Sequence, residues 1–69
     1  MSKAIAVVED DESIREMLRY YFQSVGYTVR PYESGEAMFE GEAEQSPPVL
    51  FILDIMLPGM DGLEILRRL

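Results

Sequence analysis

The chain has 69 residues, 48% of them hydrophobic and 28% charged, with no cysteine and no histidine. That length allows one small domain with a thin core, and the missing residue types exclude disulfides, thiolate zinc sites, imidazole ligands and histidine-based triads. Thirteen acidic against six basic residues give a net charge of −7, which repels phosphate backbones and anionic lipid and so argues against a nucleic-acid or membrane-surface binder. The imbalance is uneven: residues 1–35 carry six acids and four bases, residues 36–69 seven acids and two bases. No apolar run approaches the ~18 residues of a membrane span, and the five apolar residues before Glu9 are too few for a signal peptide, so a cytoplasmic protein is expected.

Residues 4–8 form a short apolar run ending in acid. Its length and β-branched residues favour a strand, and its lack of polar alternation predicts cover on both faces, as in a parallel sheet. A helix follows. Ile14, Met17, Leu18, Tyr21, Phe22 and Val25 fall on one face of a 3.6-residue period. Ser13 and Glu16 have capping-box spacing, Asp11 or Glu12 suits the first turn, and Gly26 is placed as the stop. Residues 27–30 read as a second strand at a sheet edge, closed by Pro31. Residues 34 to about 44 form a weak helix anchored by Ala37, Met38 and Phe39, with Gly35 and Gly41 against it. A loop at 45–48 leads to a third apolar strand, Val49, Leu50, Phe51, Ile52 and Leu53, ending in Asp54. Pro58-Gly59 makes a turn, and residues 63–69 begin a third helix with Leu63, Leu66 and Ile65 inward. Alternating strands and helices predict a doubly wound parallel sheet. The last helix has barely two turns, so the sequence reads as cut rather than finished.

In such a sheet ligands bind beyond the carboxyl ends of the strands. Two strands here end in acid, one in Glu9-Asp10-Asp11 and one in Asp54. Neighbouring strands would gather these carboxylates at one rim. Two unit charges about 4 Å apart repel by about 4 kcal/mol at an effective dielectric of 20. Arg15, one turn into the helix, is not obviously placed to offset this. A divalent cation would, and oxygen donors without His or Cys suit Mg²⁺. Each acid also has a simpler role, the post-strand acids as helix caps and Asp54 as a turn residue. The residues alone leave these two readings open.

The two motifs together resemble the receiver domain of two-component response regulators. Val7-Val8-Glu9-Asp10-Asp11-Glu12-Ser13-Ile14-Arg15 is similar to the family's first strand, acidic pocket and first helix. Leu53-Asp54-Ile55-Met56-Leu57-Pro58-Gly59-Met60-Asp61-Gly62 is similar to its phosphoacceptor strand and loop. The wording is most like the subfamily that carries a winged-helix DNA-binding domain. The resemblance implies a flavodoxin-like fold, truncated to β1-α1-β2-α2-β3 and the start of α3, with strand order 2-1-3. It implies that residues 1–69 are a partial receiver, without the fourth and fifth strands, their helices or an output domain.

By the same resemblance Asp54 is the phosphoacceptor, taking a phosphoryl group from a histidine kinase. Mg²⁺ would be held by Asp10, Asp54 and the backbone carbonyl of Met56, with Glu9 acting through a water. Asp11 falls one place after the acidic pair and is a helix-start residue. Pro58 and Gly62 shape the loop leaving the site. The Ser or Thr and the Lys with which the family contacts the phosphoryl group lie beyond this sequence, whose one lysine is Lys3. Phosphorylation is therefore expected to be weakened and output lost. The module is expected to signal and not to turn over substrate. One alternative is an inactive half-domain or assembly fragment. Another is a Mg²⁺-dependent phosphatase with an Asp nucleophile, disfavoured because Met56 stands where a second acid belongs. A third strand at the sheet edge would invite pairing with a second copy, antiparallel at the seam.

Overall fold

A computed structural model of the chain describes residues 3–54 and 62–69. The elements run β1 (Ala4–Val8), α1 (Glu12–Ser24), β2 (Thr28–Tyr32), α2 (Gly35–Glu42), β3 (Leu50–Leu53) and α3 (Gly62–Arg68). The strands form one parallel sheet in the order β2-β1-β3. The expected architecture is thus observed. The Pro58-Gly59 turn lies outside the described residues.

β1 is central, and Ile5, Ala6, Val7 and Val8 are all buried. Its alternating side chains feed two cores. On one face Ile5, Val7 and Val29 meet Leu18, Phe22 and Ile52; on the other Val8 and Met38 meet Tyr32, Phe39, Phe51 and Leu53. A strand in the middle of a three-stranded parallel sheet is covered on both sides, which is why it has no polar positions.

The first two helices each start at one capping side chain. α1 is capped by Asp11, whose carboxylate accepts from the Ile14 N–H at 3.0 Å, so the Ser13–Glu16 spacing is not a capping box. Asp11 is extended and Ser13 already lies in the first turn, where its hydroxyl has no capping role. α2 is capped by Ser34, whose Oγ accepts from the Ala37 N–H at 3.1 Å. Gly26 ends α1 in the left-handed region at φ 103°, and the Tyr27 N–H reaches back to the Phe22 carbonyl at 3.0 Å.

The buried face of α1 is narrower than its apolar stripe. Leu18 and Phe22 pack on the sheet, whereas Ile14, Met17, Tyr21 and Val25 are exposed, Met17 by 62%. Residues 15, 18 and 22 set the inward line, and residues 14, 17 and 21 lie around one flank of it. Leu66 on α3 is likewise exposed rather than inward. That helix touches α2 instead through Arg68, whose guanidinium stands 5.0 Å from the centre of the Phe39 ring.

Pro31 does not end β2 but lies inside it, opposite Val7. Thr28 donates to the Lys3 carbonyl and the Tyr32 carbonyl accepts from Glu9, so these residues turn their backbone toward β1. By the two-residue alternation Pro31 turns its missing N–H to the open edge, where no ladder bond is lost.

Two residues of β2 also hold α2. Arg30 donates to Glu42 Oε1 at 2.5 Å and to the Ser46 carbonyl at 3.0 Å, while the Tyr32 hydroxyl donates to Glu42 Oε2 at 2.5 Å. Burial, and then the bond to Glu42 and its charge, push the Tyr32 phenol up to about 12. The phenol of an unfolded chain has a lower pKa, so the protonated form is favoured by folding. Its stabilising contribution is full below pH 10 and is lost as pH rises toward 12.

Gly41 explains why this helix is weak by propensity. A Cβ there would collide with the Tyr32 ring. The glycine costs α2 about 1 kcal/mol of helix propensity but lets the ring lie against the helix backbone. We expect Gly41→Ala to destabilise the chain by about 1–3 kcal/mol in urea unfolding, overpacking outweighing propensity. In a Tyr32→Leu background, where the ring is gone, the same change should be neutral or stabilising.

Candidate functional site

The last rungs of the two ladders build the site. The Glu9 N–H donates to the Tyr32 carbonyl and the Asp54 N–H to the Val8 carbonyl, each at 3.0 Å. Pairing therefore runs one residue past each strand, and the first residues beyond β1 and β3 stand side by side at the carboxyl rim. There Glu9, Asp10 and Asp54 each bring a carboxylate oxygen within 4.8 Å of the others. Asp11 is separated from this group by its cap role. Met56, expected to add a carbonyl, lies outside the described residues.

Glu9 carries the electrostatic burden. Burial raises the pKa of its carboxyl above the usual value, and the charges of Asp54 and Asp10 and a hydrogen bond to the Asp54 side chain add to this. The Asp11 N–H, donating to Glu9 Oε1 at 3.2 Å, partly offsets the rise. At 4.8 Å a pair of unit charges repels by about 3 kcal/mol at an effective dielectric of 20, less where water screens it.

The donor set fits a small hard cation. All three groups are carboxylates, and no nitrogen or sulfur ligand stands among them. Oxygens on opposite sides of Mg²⁺ are about 4.2 Å apart at ligand distances of ~2.1 Å, so oxygens within 4.8 Å need only small side-chain movements.

Sequence spacing did not reveal the position of Arg15. Its guanidinium turns back along the inward line of α1 and donates to the Glu9 carbonyl at 2.8 Å, with the Asp10 carbonyl at 3.5 Å. The signal was its place three residues before Leu18 and seven before Phe22, the two residues of α1 that pack on the sheet.

The family model described as the response regulator receiver domain matches residues 5–69. Among curated relatives, the chain is 42% identical over all 69 residues to the alkaline phosphatase synthesis transcriptional regulatory protein PhoP of Bacillus subtilis, covering 28% of it. It is 42% identical to the phosphate regulon transcriptional regulatory protein PhoB of Rhizobium meliloti, covering 30%. The chain thus spans less than a third of the length of these relatives. In solved structures, a response regulator from Chloroflexus aurantiacus superposes with a TM-score of 0.90 at 32% identity, over 99% of this chain and 55% of that one. The relatives are transcriptional regulators, in line with the resemblance to the winged-helix subfamily.

A raised carboxyl pKa has a definite linkage sign. The folded state binds the Glu9 proton more tightly than the unfolded chain, so this group favours folding below pH 4.5 and loses that contribution as pH rises through its elevated range. We expect Glu9→Gln to stabilise the metal-free chain near pH 7 by about 1–2 kcal/mol and to flatten its stability above pH 4.5. Thermal unfolding of both proteins across pH 4–8 (roughly the carboxylate range and above) checks both.

Proposed function

Because the chain belongs to the response regulator receiver domain family, we propose that it is a phosphoacceptor module, taking a phosphoryl group from a histidine kinase onto Asp54 with Mg²⁺. The observation that supports this most is the gathering of Glu9, Asp10 and Asp54 at the carboxyl rim, on the strands where the family pattern has its acidic pocket and phosphoacceptor. Asp10 and Asp54 would bind the cation directly with the Met56 carbonyl, and Glu9 through a water. When bound, Mg²⁺ neutralises charge developing on the phosphoryl oxygens.

The carboxylate of Asp54 is the nucleophile. One of its oxygens forms a bond to phosphorus as the bond from phosphorus to the donor's imidazole nitrogen breaks, leaving an acyl phosphate and a free imidazole. Asp10 and Glu9 would hold the cation, which would supply charge neutralisation to the transfer. The product adds about −1.5 to −2 charge at an already acidic rim, by analogy with other phosphorylated side chains. The module carries a signal and does not turn over a substrate. A cytoplasmic location fits a kinase donor, and among the described residues no helix is long and apolar enough to cross a membrane.

Residues 1–69 act as a partial receiver in this reading, and within this 69-residue chain the outer edge of β3 offers a contact surface. Among the described residues no strand pairs with it, and Val49 and Leu50 are 57% and 48% exposed. A second copy joined there in antiparallel fashion would extend the sheet to six strands and cover the edge. It would not bind nucleic acid directly, given the net charge of −7.

Incubation with a small-molecule phosphodonor and Mg²⁺ should add one phosphoryl mass to the chain by intact-mass spectrometry. The adduct should be labile to hydroxylamine and absent from Asp54→Asn. A wild-type chain that binds Mg²⁺ but gains no mass would favour the inactive half-domain. Sedimentation equilibrium should show a concentration-dependent dimer that Leu50→Lys returns to monomer; a folded monomer at all concentrations would rule out the edge contact.

A further inference from the structure

Arg15 offers a cation to a cluster of three carboxylates yet, among the described residues, makes no ion pair with any of them. It is half-buried on the inward line of α1, and its Nη1 donates to the backbone at the corner between β1 and α1. That corner is where regular pairing stops. The ladder ends with the Glu9 N–H on the Tyr32 carbonyl, and the helix begins with the Asp11 carbonyl accepting from the Arg15 N–H at 2.9 Å. The carbonyls of Glu9 and Asp10 fall between, in neither the ladder nor the helix. With these carbonyls unheld the backbone torsions of the corner are less constrained, and those torsions set where Glu9 and Asp10 leave the chain relative to Asp54.

We infer that Arg15 is a positioning residue for the acidic pocket: by holding the Glu9 and Asp10 carbonyls it sets the approach of their carboxylates to Asp54. The inference rests on the proposed metal site and adds a residue outside the ligand set. Both contacts come from the one nitrogen Nη1, chiefly onto the Glu9 carbonyl at 2.8 Å with the Asp10 carbonyl at 3.5 Å, and a planar guanidinium holds that donor in a fixed direction. A lysine ammonium is a point charge on a flexible stem. The anchor is rigid, since Leu18 and Phe22 on the same line of α1 are packed against Ile5, Val7 and Val29.

The electrostatic alternative has the opposite sign. A cation standing idle near three acids competes with Mg²⁺, so removing it would tighten metal binding. A positioning residue predicts the reverse, because the loss of an outer-shell partner commonly weakens metal affinity by about 10–100-fold.

The test is Mg²⁺ titration of the 69-residue chain, followed by calorimetry, with Arg15→Gln and Arg15→Lys beside wild type. Metal-free ¹³C carbonyl spectra of all three are recorded as well. The expected result is Mg²⁺ affinity weakened about tenfold or more in both variants. The Glu9 and Asp10 carbonyl resonances should move without metal, while the rest of the spectrum stays in place. Unchanged or tighter Mg²⁺ binding in the variants overturns the inference, as does full retention of affinity by Arg15→Lys. Should wild type bind no Mg²⁺, the metal reading fails by itself. The metal-free carbonyl resonances then decide the Arg15 contact, and unmoved resonances overturn it. If Arg15→Gln unfolds, Arg15→Lys keeps the charge and the stem and carries the same comparison.

Discussion

Repulsion among acids at the carboxyl rim is the constraint around which this chain is organised. Two ladders continue one residue past the ends of β1 and β3, and the residues they deliver there are Glu9 and Asp54. Parallel pairing leaves little freedom in the matter. Once Val8 is in register with Leu53, the next residues on both strands emerge at the same edge. The apolar faces of the sheet stabilise what the rim opposes, and the burial of Ile5 through Val8 on both sides is the larger effect. Each buried aliphatic side chain contributes about 1.5–3 kcal/mol, comparable with one close pair of like charges in a partly screened setting.

The rest of the molecule can be understood as support for that rim. Tyr32 serves it twice. Its carbonyl fixes the Glu9 backbone, and its ring and hydroxyl bind β2 to α2 through Gly41 and Glu42. Asp11 spends its carboxylate on the α1 N-terminus and its N–H on Glu9, which removes one acid from the cluster and gives another a donor. The strand-to-helix corner is therefore pinned from the sheet and from both ends of the first turn of α1.

Much of this was legible from the residues. Element order, sheet type and the central place of the first strand followed from apolar runs alternating with helical periodicity. The rim followed from the acids that end two of those runs. What was not legible depended on contacts between distant segments. The Arg30–Glu42–Tyr32 contacts join residues 12 and 10 positions apart, and no local pattern encodes them. Gly41 looked like a weak point of a helix because its partner, Tyr32, lies on another element. Pro31 looked like a strand end because only the direction of the neighbouring rungs shows that its nitrogen faces outward. The capping box at Ser13 and Glu16 met the spacing rule, but Asp11 two residues earlier is the residue with extended backbone, and extension decides which side chain can reach back to the helix.

The flank of α1 has a consequence for how the chain behaves in bulk. Ile14, Met17, Tyr21 and Val25 place oily surface in contact with water over most of the length of a thirteen-residue helix. What opposes contact between two such flanks is their shared negative charge, −7 per chain. That protection is long-ranged only in dilute electrolyte. The screening length is about 10 Å at 0.1 M ionic strength and about 3 Å at 1 M, so added salt screens the repulsion, and a kosmotropic salt such as sulfate also strengthens the attraction between apolar flanks. Counterions in this chain therefore act on the approach of one molecule to another and not only on the stability of its fold.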